Sequence, residues 1–273
     1  MRQDPNLRAF SQFLNSEWHG SRRHGYSVPL SGRSAAWSRR LDPQGVWTAQ
    51  GLNDARLKYF WNGSNFEATD RELAIHSAEL RAAIQAGANA DAIRVIRKIL
   101  TWGGVDNPHR QKRTFHWLNR NSESLCKKLQ DSIRLLRDDR LSLERFDGQD
   151  LIMNSAITKI VSLADEEEQL VIYDSRVAAA LAFFAIRFAE RIGKNIPSVL
   201  RFAVANESRR NPSTAEFQFD RLFGSQRDLC HASMVRLTST LIQNVACGAT
   251  PREIEAALFM WGYDISQSKP IGS

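Results

Sequence analysis

The sequence predicts a mainly α-helical protein, and three observations support this fold class. Apolar residues recur at helical spacing in most segments after residue 53. Two segments have the composition of a capping box, Thr69–Glu72 and Thr250–Glu253, and the second places Pro251 at the first helical position. Runs that alternate between apolar and polar residues, as half-buried strands require, are scarce, and no internal repeat is apparent.

The helices are predicted from these capping signals, from glycines at their ends and from their apolar stripes. Six are predicted in this way: from Thr69 to about Ala86, from Asn89 or Asp91 to Gly103, from about Ser122 to Arg137, from just after Asp174 through Phe188, from about Cys230 to Cys247, and from Pro251 to Trp261.

Composition is that of an ordinary soluble globular protein, with 273 residues, 42% hydrophobic and 25% charged. This length permits one large domain or two moderate ones. The net charge of +7 and the pI of about 9.6 favour a polyanionic partner, although a basic protein with no nucleic-acid role fits the charge nearly as well. Neither a signal peptide nor a long apolar span is present, so we expect a cytoplasmic protein with no membrane partner.

The cysteines do not predict a metal site. Cys126, Cys230 and Cys247 are far apart, lie in helical patterns and lack the spacing of cluster ligands. We expect three reduced core cysteines, no iron–sulfur cluster and no cofactor.

Composition divides the chain into a basic, aromatic-rich and irregular N-terminal extension (1–50) and a helical domain (51–273). From Trp18 to Leu41 the extension has no acidic residue but several arginines. It is either an ordered arm packed through its tryptophans or a flexible basic tail. Three tryptophans before residue 50 favour packing.

A second acid-free tract runs from Asn107 to Ser122 and combines basic with aromatic residues. That combination fits phosphate neutralisation with base stacking, and the alternative is a solvated helix whose aromatic side chains face the core. The candidate DNA-binding residues of this tract are Arg110, Lys112, Arg113 and Arg120.

The segment around Asp174 carries the most specific signal. A short apolar run, Leu170 to Tyr173, leads to Asp174 at the start of a long apolar helix, and Lys159 lies upstream. A carboxylate at a helix N-terminus is held ionised by free N–H groups and the helix dipole. It can cap the helix, which is the commoner role on spacing alone, or stabilise a positive charge on a substrate.

The sequence Ile172-Tyr-Asp-Ser-Arg-Val177, followed by an alanine-rich helix, resembles the end of the core of helix-hairpin-helix DNA glycosylases. It is most similar to the 8-oxoguanine-glycosylase-like branch found in bacteria. In that superfamily a hairpin between two helices grips DNA, a lysine follows the hairpin, and an aspartate opens the next helix. Lys159 and Asp174 match these two positions. The chain departs from the pattern in two ways: Asn154-Ser-Ala-Ile-Thr158 replaces the glycine-rich hairpin, and the lysine-to-aspartate spacing is shorter than usual.

The resemblance implies catalytic roles for this pair. Asp174 would stabilise the sugar cation that forms as the base leaves, or deprotonate the attacking water or amine. Lys159 would be a Schiff-base nucleophile, with a solvated lysine or a phosphate contact as an equal alternative. Arg176 would bind the phosphate flanking the target nucleotide or orient Asp174, unless it forms only a surface ion pair.

The base pocket is less defined than the catalytic pair. Its candidate residues are Trp102, Tyr173 and Trp117. Trp102 belongs to the turn Trp102-Gly-Gly104, which is more often a packed corner than a pocket wall, and Trp117 taken singly is more often a core residue.

The resulting prediction is a DNA glycosylase that flips a modified base out of double-stranded DNA and cleaves its N-glycosidic bond. We expect a monomer associated with the bacterial nucleoid. The favoured substrate is a glucosylated hydroxymethylcytosine of phage DNA, removed as antiviral defence. The alternatives are a repair glycosylase for oxidised or alkylated purines, a non-catalytic DNA-binding protein, and a helical interaction protein whose charge is incidental.

Overall fold

The computed structural model describes residues 4–31, 35–41, 44–224 and 226–266. This part of the chain contains eleven α-helices and one two-stranded antiparallel sheet, which confirms the mainly α class. The helices are α1 (Pro5–Trp18), α2 (Ala35–Ser38), α3 (Gly51–Leu57), α4 (Phe66–Gln85), α5 (Asn89–Trp102), α6 (Lys112–Arg120), α7 (Leu125–Arg137), α8 (Ile157–Ala164), α9 (Ser175–Ile192), α10 (Arg227–Gln243) and α11 (Pro251–Trp261). The strands are β1 (Arg23–Ser27) and β2 (Val46–Gln50). None of these helices has the length and apolar character needed to cross a membrane.

Contacts between residues group the chain into two compact units. Among the described residues, those within 70–174 and 223–240 form unit 1, and those within 4–69, 175–222 and 241–266 form unit 2. The predicted division at residue 50 was based on composition, whereas these units are defined by contacts, and that division stays a prediction.

Unit 1 is built around α5, α7 and α8, which contact one another. The predicted apolar stripe of α5 is buried at Ile96, Ile99 and Leu100. All eight residues of α8 are buried, including Lys159. A lysine in a helix that is buried on every side needs an internal partner, because an uncompensated charge is costly away from water.

Unit 2 is built around α9, which contacts α1 and α11. Phenylalanines of α1 and α9 interlock: the ring centroids of Phe10 and Phe188 are 5.5 Å apart, and those of Phe13 and Phe188 are 5.6 Å apart. The hairpin of β1 and β2 adds a stacked pair, Tyr26 and Trp47, with centroids 4.7 Å apart. Aromatic packing therefore supplies much of the core of this unit.

The expectation of an irregular N-terminal extension is wrong for the described residues. They form α1, β1, α2 and β2, and Trp18, Trp37 and Trp47 are buried, so the segment is packed. The side chain of Asp4 accepts hydrogen bonds from the first free N–H groups of α1, and Pro5 occupies the first helical position. The strands were missed because each spans only five residues.

Several predicted helix boundaries shift. The Thr69 capping box is wrong, because α4 begins at Phe66 and the side chain of Asn65 accepts a hydrogen bond from the N–H of Ala68 at 3.0 Å. The helix predicted from Ser122 begins at Leu125. The helix predicted for Cys230–Cys247 runs from Arg227 to Gln243.

The second capping box, at the start of α11, is confirmed. The hydroxyl of Thr250 accepts from the N–H of Glu253 at 3.2 Å, and the carboxylate of Glu253 accepts from the N–H of Thr250 at 2.8 Å. The three cysteines are free; Cys126 and Cys247 are buried and Cys230 is half-buried.

Candidate active site

The segment that carries Asp174 is non-helical and buried, and side-chain hydroxyls bond its backbone. Ser162 donates to the carbonyl of residue 170 at 2.8 Å. Ser239 accepts from the N–H of residue 171 at 3.1 Å, and Thr158 accepts from the N–H of residue 173 at 3.0 Å. Buried backbone groups outside helices and strands need such partners. These hydroxyls, from α8 and α10, therefore fix the position of the chain immediately before Asp174.

Lys159 is placed by the turn that starts α8. The side-chain oxygen of Asn154 accepts from the N–H groups of Ala156 at 2.9 Å and Ile157 at 3.1 Å, which stabilises the turn before the helix. The carbonyl of Ser155 accepts a hydrogen bond from Lys159 Nζ at 2.9 Å. The segment predicted to replace the glycine-rich hairpin is thus a turn at 154–156, followed directly by helix.

Lys159 and Asp174 lie close together inside unit 1. Lys159 Nζ is 3.9 Å from Asp174 Oδ2, and the two side chains are 6% and 12% exposed. Asp174 directly precedes α9, as predicted, and does not point into bulk solvent. The structure therefore brings together the two residues that the resemblance assigned to catalysis, although they belong to different segments of the chain.

Gly103 provides the space for the lysine side chain. A Cβ atom at this position would lie 2.7 Å from Lys159 Cδ and 2.9 Å from Lys159 Cε, closer than real carbon atoms approach. Its backbone is in the right-handed helical region, which any residue can adopt, so a side chain here would act by forcing Lys159 to shift. The turn Trp102-Gly-Gly104 thus lies against the candidate catalytic lysine, and Trp102 is half-buried there.

His231 joins this cluster from α10. Its Nε2 is 2.8 Å from the carbonyl oxygen of Tyr173. Burial lowers the pKa of His231 to about 4, while the charges of Lys159 and Asp174 shift it in opposite directions. The imidazole is therefore neutral near pH 7 and donates its Nε2–H to the carbonyl, which can only accept.

Tyr173, a predicted base-pocket residue, is fully buried. Its ring packs edge-on against His231, with centroids 5.6 Å apart, and burial raises the pKa of its hydroxyl well above the usual value. Trp117 is also buried, and its Nε1–H donates to the carbonyl of Asp150 at 3.1 Å. Neither ring offers an open face to a base in this conformation. Their places in the pocket stay predictions.

The basic tract at 107–122 contains α6, and two connections join this helix to the turn that starts α8. The amide of Asn154 donates to Thr114 Oγ1 at 3.0 Å. Arg113 pairs with Asp228, whose other oxygen accepts from the N–H of Met153 at 2.8 Å. These bonds place the basic helix beside the segment that positions Lys159.

The four basic residues of the 107–122 tract that are predicted to bind DNA divide into two groups. Arg113 pairs with Asp228, and Arg120 donates to the carbonyl of Gln149, so each has a structural partner within unit 1. Arg110 and Lys112 are exposed, and no carboxylate in the described part of the chain forms an ion pair with either. These two side chains are the ones available for a polyanion.

Arg176 lies in unit 2, where an aromatic cage surrounds its guanidinium. The Cζ atom is 4.2 Å from the centroid of Phe259, 4.7 Å from that of Tyr263 and 5.1 Å from that of Trp61. Cation–π contacts of this kind hold an arginine in place. The cage was not predicted, because its rings come from segments far from residue 176. The predicted roles of Arg176 toward a phosphate or Asp174 stay predictions.

Sequence reasoning missed His231, Thr158 and Ser239, and it considered Gly103 only as part of a turn. Their roles depend on contacts with residues distant in sequence, so local spacing carried no signal for them. Comparison of the chain with family models, curated proteins and solved structures finds no match.

Proposed function

We propose that this protein is a DNA glycosylase of the helix-hairpin-helix type that cleaves the N-glycosidic bond of a modified base. The observation that carries the proposal is the buried pair of Lys159 and Asp174, 3.9 Å apart at the start of α9. Cleavage of an N-glycosidic bond by a Schiff-base mechanism uses an amine as nucleophile and a carboxylate beside it. The sequence resemblance, which covers roughly residues 150–190, assigns the same two residues to these roles.

The chemistry follows from the two charges. As the bond to the base breaks, positive charge develops on the sugar, and the Asp174 carboxylate stabilises it. Lys159 can attack the anomeric carbon only after it loses a proton, and the carboxylate of Asp174, whose Oδ2 lies 3.9 Å from Nζ, can take up that proton. If Lys159 keeps its proton, Asp174 instead activates a water molecule, and the product is an abasic site without strand cleavage.

The basic helix α6 supports double-stranded DNA as the partner. Exposed Arg110 and Lys112 lie on or just before a helix that is bonded to the turn preceding Lys159. A glycosylase must hold the phosphates on both sides of a flipped nucleotide, and cations beside the catalytic segment serve that purpose. We propose that the protein acts as a monomer in the bacterial nucleoid.

The proposed substrate is a bulky modified cytosine of phage DNA, such as glucosylated hydroxymethylcytosine. The departure of the 154–158 segment from the glycine-rich hairpin of repair enzymes favours this class. Oxidised or alkylated purines are the second candidate substrates. The two classes are distinguished by which base is released.

The decisive experiment is mass spectrometry of bases released from phage DNA with glucosylated hydroxymethylcytosine and from DNA with oxidised or alkylated purines. We expect release by the wild type and a loss of about a hundredfold or more in the single-turnover rate for Asp174→Asn, because its charge acts mainly in the transition state. Asp70→Asn, at an exposed position of α4, is the matched control and should retain the wild-type rate.

A non-catalytic DNA-binding protein is the second candidate function. The observation that favours it is that both members of the Lys159–Asp174 pair are nearly covered, as in a structural ion pair. Salt-dependent DNA binding without release of any base would support this candidate and refute the glycosylase. Absence of DNA binding would refute both and leave a helical interaction protein.

A further inference from the structure

We infer that unit 2 carries a phosphate-binding pocket on the outer face of the β hairpin, separate from the Lys159–Asp174 pair. The pocket has a volume of about 660 Å³, which is in the usual range for ligand sites. Its polar lining comes from the hairpin, from the residue after α3 and from α9. The lining side chains that carry the inference are Arg22, Arg23, Thr48, Gln50, Lys58 and Arg187.

The hairpin register explains why these side chains converge. Arg23 pairs with Gln50 and Gly25 pairs with Thr48, so these positions share one face of the two strands. The alternate positions, such as Tyr26 and Trp47, are buried in the core of unit 2. Gly25 has no side chain, and a Cβ atom there would lie 3.1 Å from Thr48 Cγ2, so the glycine leaves the floor of the pocket open.

Basic side chains line the pocket. Four of its side chains are cations, and the described lining includes no carboxylate. Three of the cations are held from outside the pocket by acidic partners: Glu17 for Arg22, Asp54 for Lys58 and Glu190 for Arg187. Arg23 is exposed, and no acidic side chain in the described ranges pairs with it. The site thus combines positioned cations with one arginine that is available to a ligand.

These features point to a phosphate group as the ligand. Arginine forks and a lysine ammonium bind phosphate oxygens with charge-assisted hydrogen bonds, and Thr48 and Gln50 add neutral donors. Phe183, the aromatic residue of the described lining other than His24, is buried and offers little ring surface for stacking a base. The pocket therefore recognises phosphate and not the identity of a base. The phosphate would come from the backbone of DNA, which is the substrate under the proposed function, or from a free nucleotide.

The test is an NMR titration of the full chain at constant ionic strength with inorganic phosphate, a deoxynucleoside monophosphate and an unmodified DNA duplex, with chloride as the reference anion. We expect saturable shifts of the Gly25 and Thr48 amides. Arg23→Gln should weaken binding by about three- to tenfold, as for the net loss of one solvent-exposed hydrogen bond. Arg8→Gln, at an exposed position of α1 in the same unit, is the control and should not change the affinity.

Tighter saturation by the duplex than by the monophosphate assigns the pocket to the DNA backbone, and the reverse assigns it to a free nucleotide. Shifts that stay linear and match those with chloride would overturn the inference, as would equal losses in the Arg23 and Arg8 variants. Only the choice of DNA as the source rests on the proposed function. Because Asp174→Asn tests base release alone, the failure of one proposal is distinguishable from the failure of the other.

Discussion

At the scale of single residues, Lys159 is held by three different contacts. Its ammonium bonds to the carbonyl of Ser155 and pairs with Asp174, and its methylene groups pass over Gly103. Each contact restricts the position of Nζ. Such positioning is what a nucleophile needs, because misplacement by an ångström can cost orders of magnitude in rate.

Borohydride trapping on DNA with an abasic site tests Lys159 directly. We expect a covalent adduct with the wild type and none with Lys159→Ala, because reduction captures only a Schiff base. Gly103→Ala should fold, since its backbone conformation suits alanine, but should trap at least about tenfold more slowly because the new Cβ displaces the lysine. An adduct that persists in Lys159→Ala would assign the chemistry to another amine. No adduct with the wild type, together with base release, would leave a glycosylase that uses water.

At the scale of elements, α8 organises the site because it carries both Lys159 and the hydroxyls that hold the next segment. Thr158, fully buried, accepts from the N–H of Tyr173 at 3.0 Å, immediately before Asp174. Ser162, one turn later, donates to the carbonyl of residue 170 at 2.8 Å. The separation between the lysine and the aspartate is therefore set by contacts between a helix and a segment that follows it in the chain.

Removal of the Thr158 hydroxyl should loosen this connection. Thr158→Val leaves the N–H of Tyr173 buried without its acceptor, and we expect a loss of about 1–3 kcal/mol in the free energy of unfolding. Urea unfolding measures this loss. Thr158→Ser keeps the acceptor and lacks only a methyl group, so it should recover most of the stability. A small loss in Thr158→Val together with a large loss in Thr158→Ser would show that packing of the methyl group, which valine keeps, and not the hydrogen bond, holds the segment.

Helix α6 should dominate the electrostatic part of DNA binding by unit 1. Replacing both Arg110 and Lys112 with glutamine should weaken binding to all DNA sequences and reduce the slope of log affinity against log salt by nearly two, about 0.9 per lost phosphate contact. The pair Arg71→Gln and Arg97→Gln, at exposed positions of α4 and α5, removes the same charge elsewhere. If this control reduces the slope as much, the effect is one of net charge alone and α6 is not a binding surface.

At the scale of the whole molecule, each unit contains a buried neutral histidine. Burial lowers the pKa of His24 in unit 2 and of His231 in unit 1 to about 4 each. Each Nε2 lies 2.8 Å from a backbone carbonyl oxygen, that of Trp261 for His24 and that of Tyr173 for His231. Between about pH 4 and pH 6.5 both histidines are therefore neutral in the folded protein, whereas in the unfolded chain they bind a proton.

This difference makes stability depend on pH in a defined direction. The folded pKa values lie below the unfolded value, so stability is full above about pH 7 and falls as the pH drops from about 6.5 toward 4, by up to about 1.4 kcal/mol per pH unit for each histidine. Urea unfolding at about pH 7 and about pH 5 measures the slope. His231→Gln keeps a donor for the Tyr173 carbonyl, and it should remove about half of the slope of unfolding free energy against pH. A variant slope equal to that of the wild type would show that His231 is protonated in the folded protein.

The sequence by itself determined the secondary structure of much of the chain, because caps and apolar periodicity act locally. The Thr250 capping box, the stripe of α5 and the helix that follows Asp174 were all predicted from residues a few positions apart. The identity of the Lys159–Asp174 pair also came from the sequence, through a resemblance confined to its own segment. The N-terminal hairpin was not predicted, since two short strands gain their stability from each other and from the core.

Only the tertiary structure decided how these residues meet. Three contacts join residues from different elements: Lys159 Nζ to Asp174 Oδ2 at 3.9 Å, Gly103 against the methylene groups of Lys159, and His231 Nε2 to the carbonyl of Tyr173. The aromatic cage around Arg176 and the basic pocket beside the hairpin also combine residues from different elements. Side-chain packing and electrostatic interactions depend on distances between atoms in space. The distances between elements are determined by the packing of the whole core, and a pattern of neighbouring residues in the sequence does not contain them.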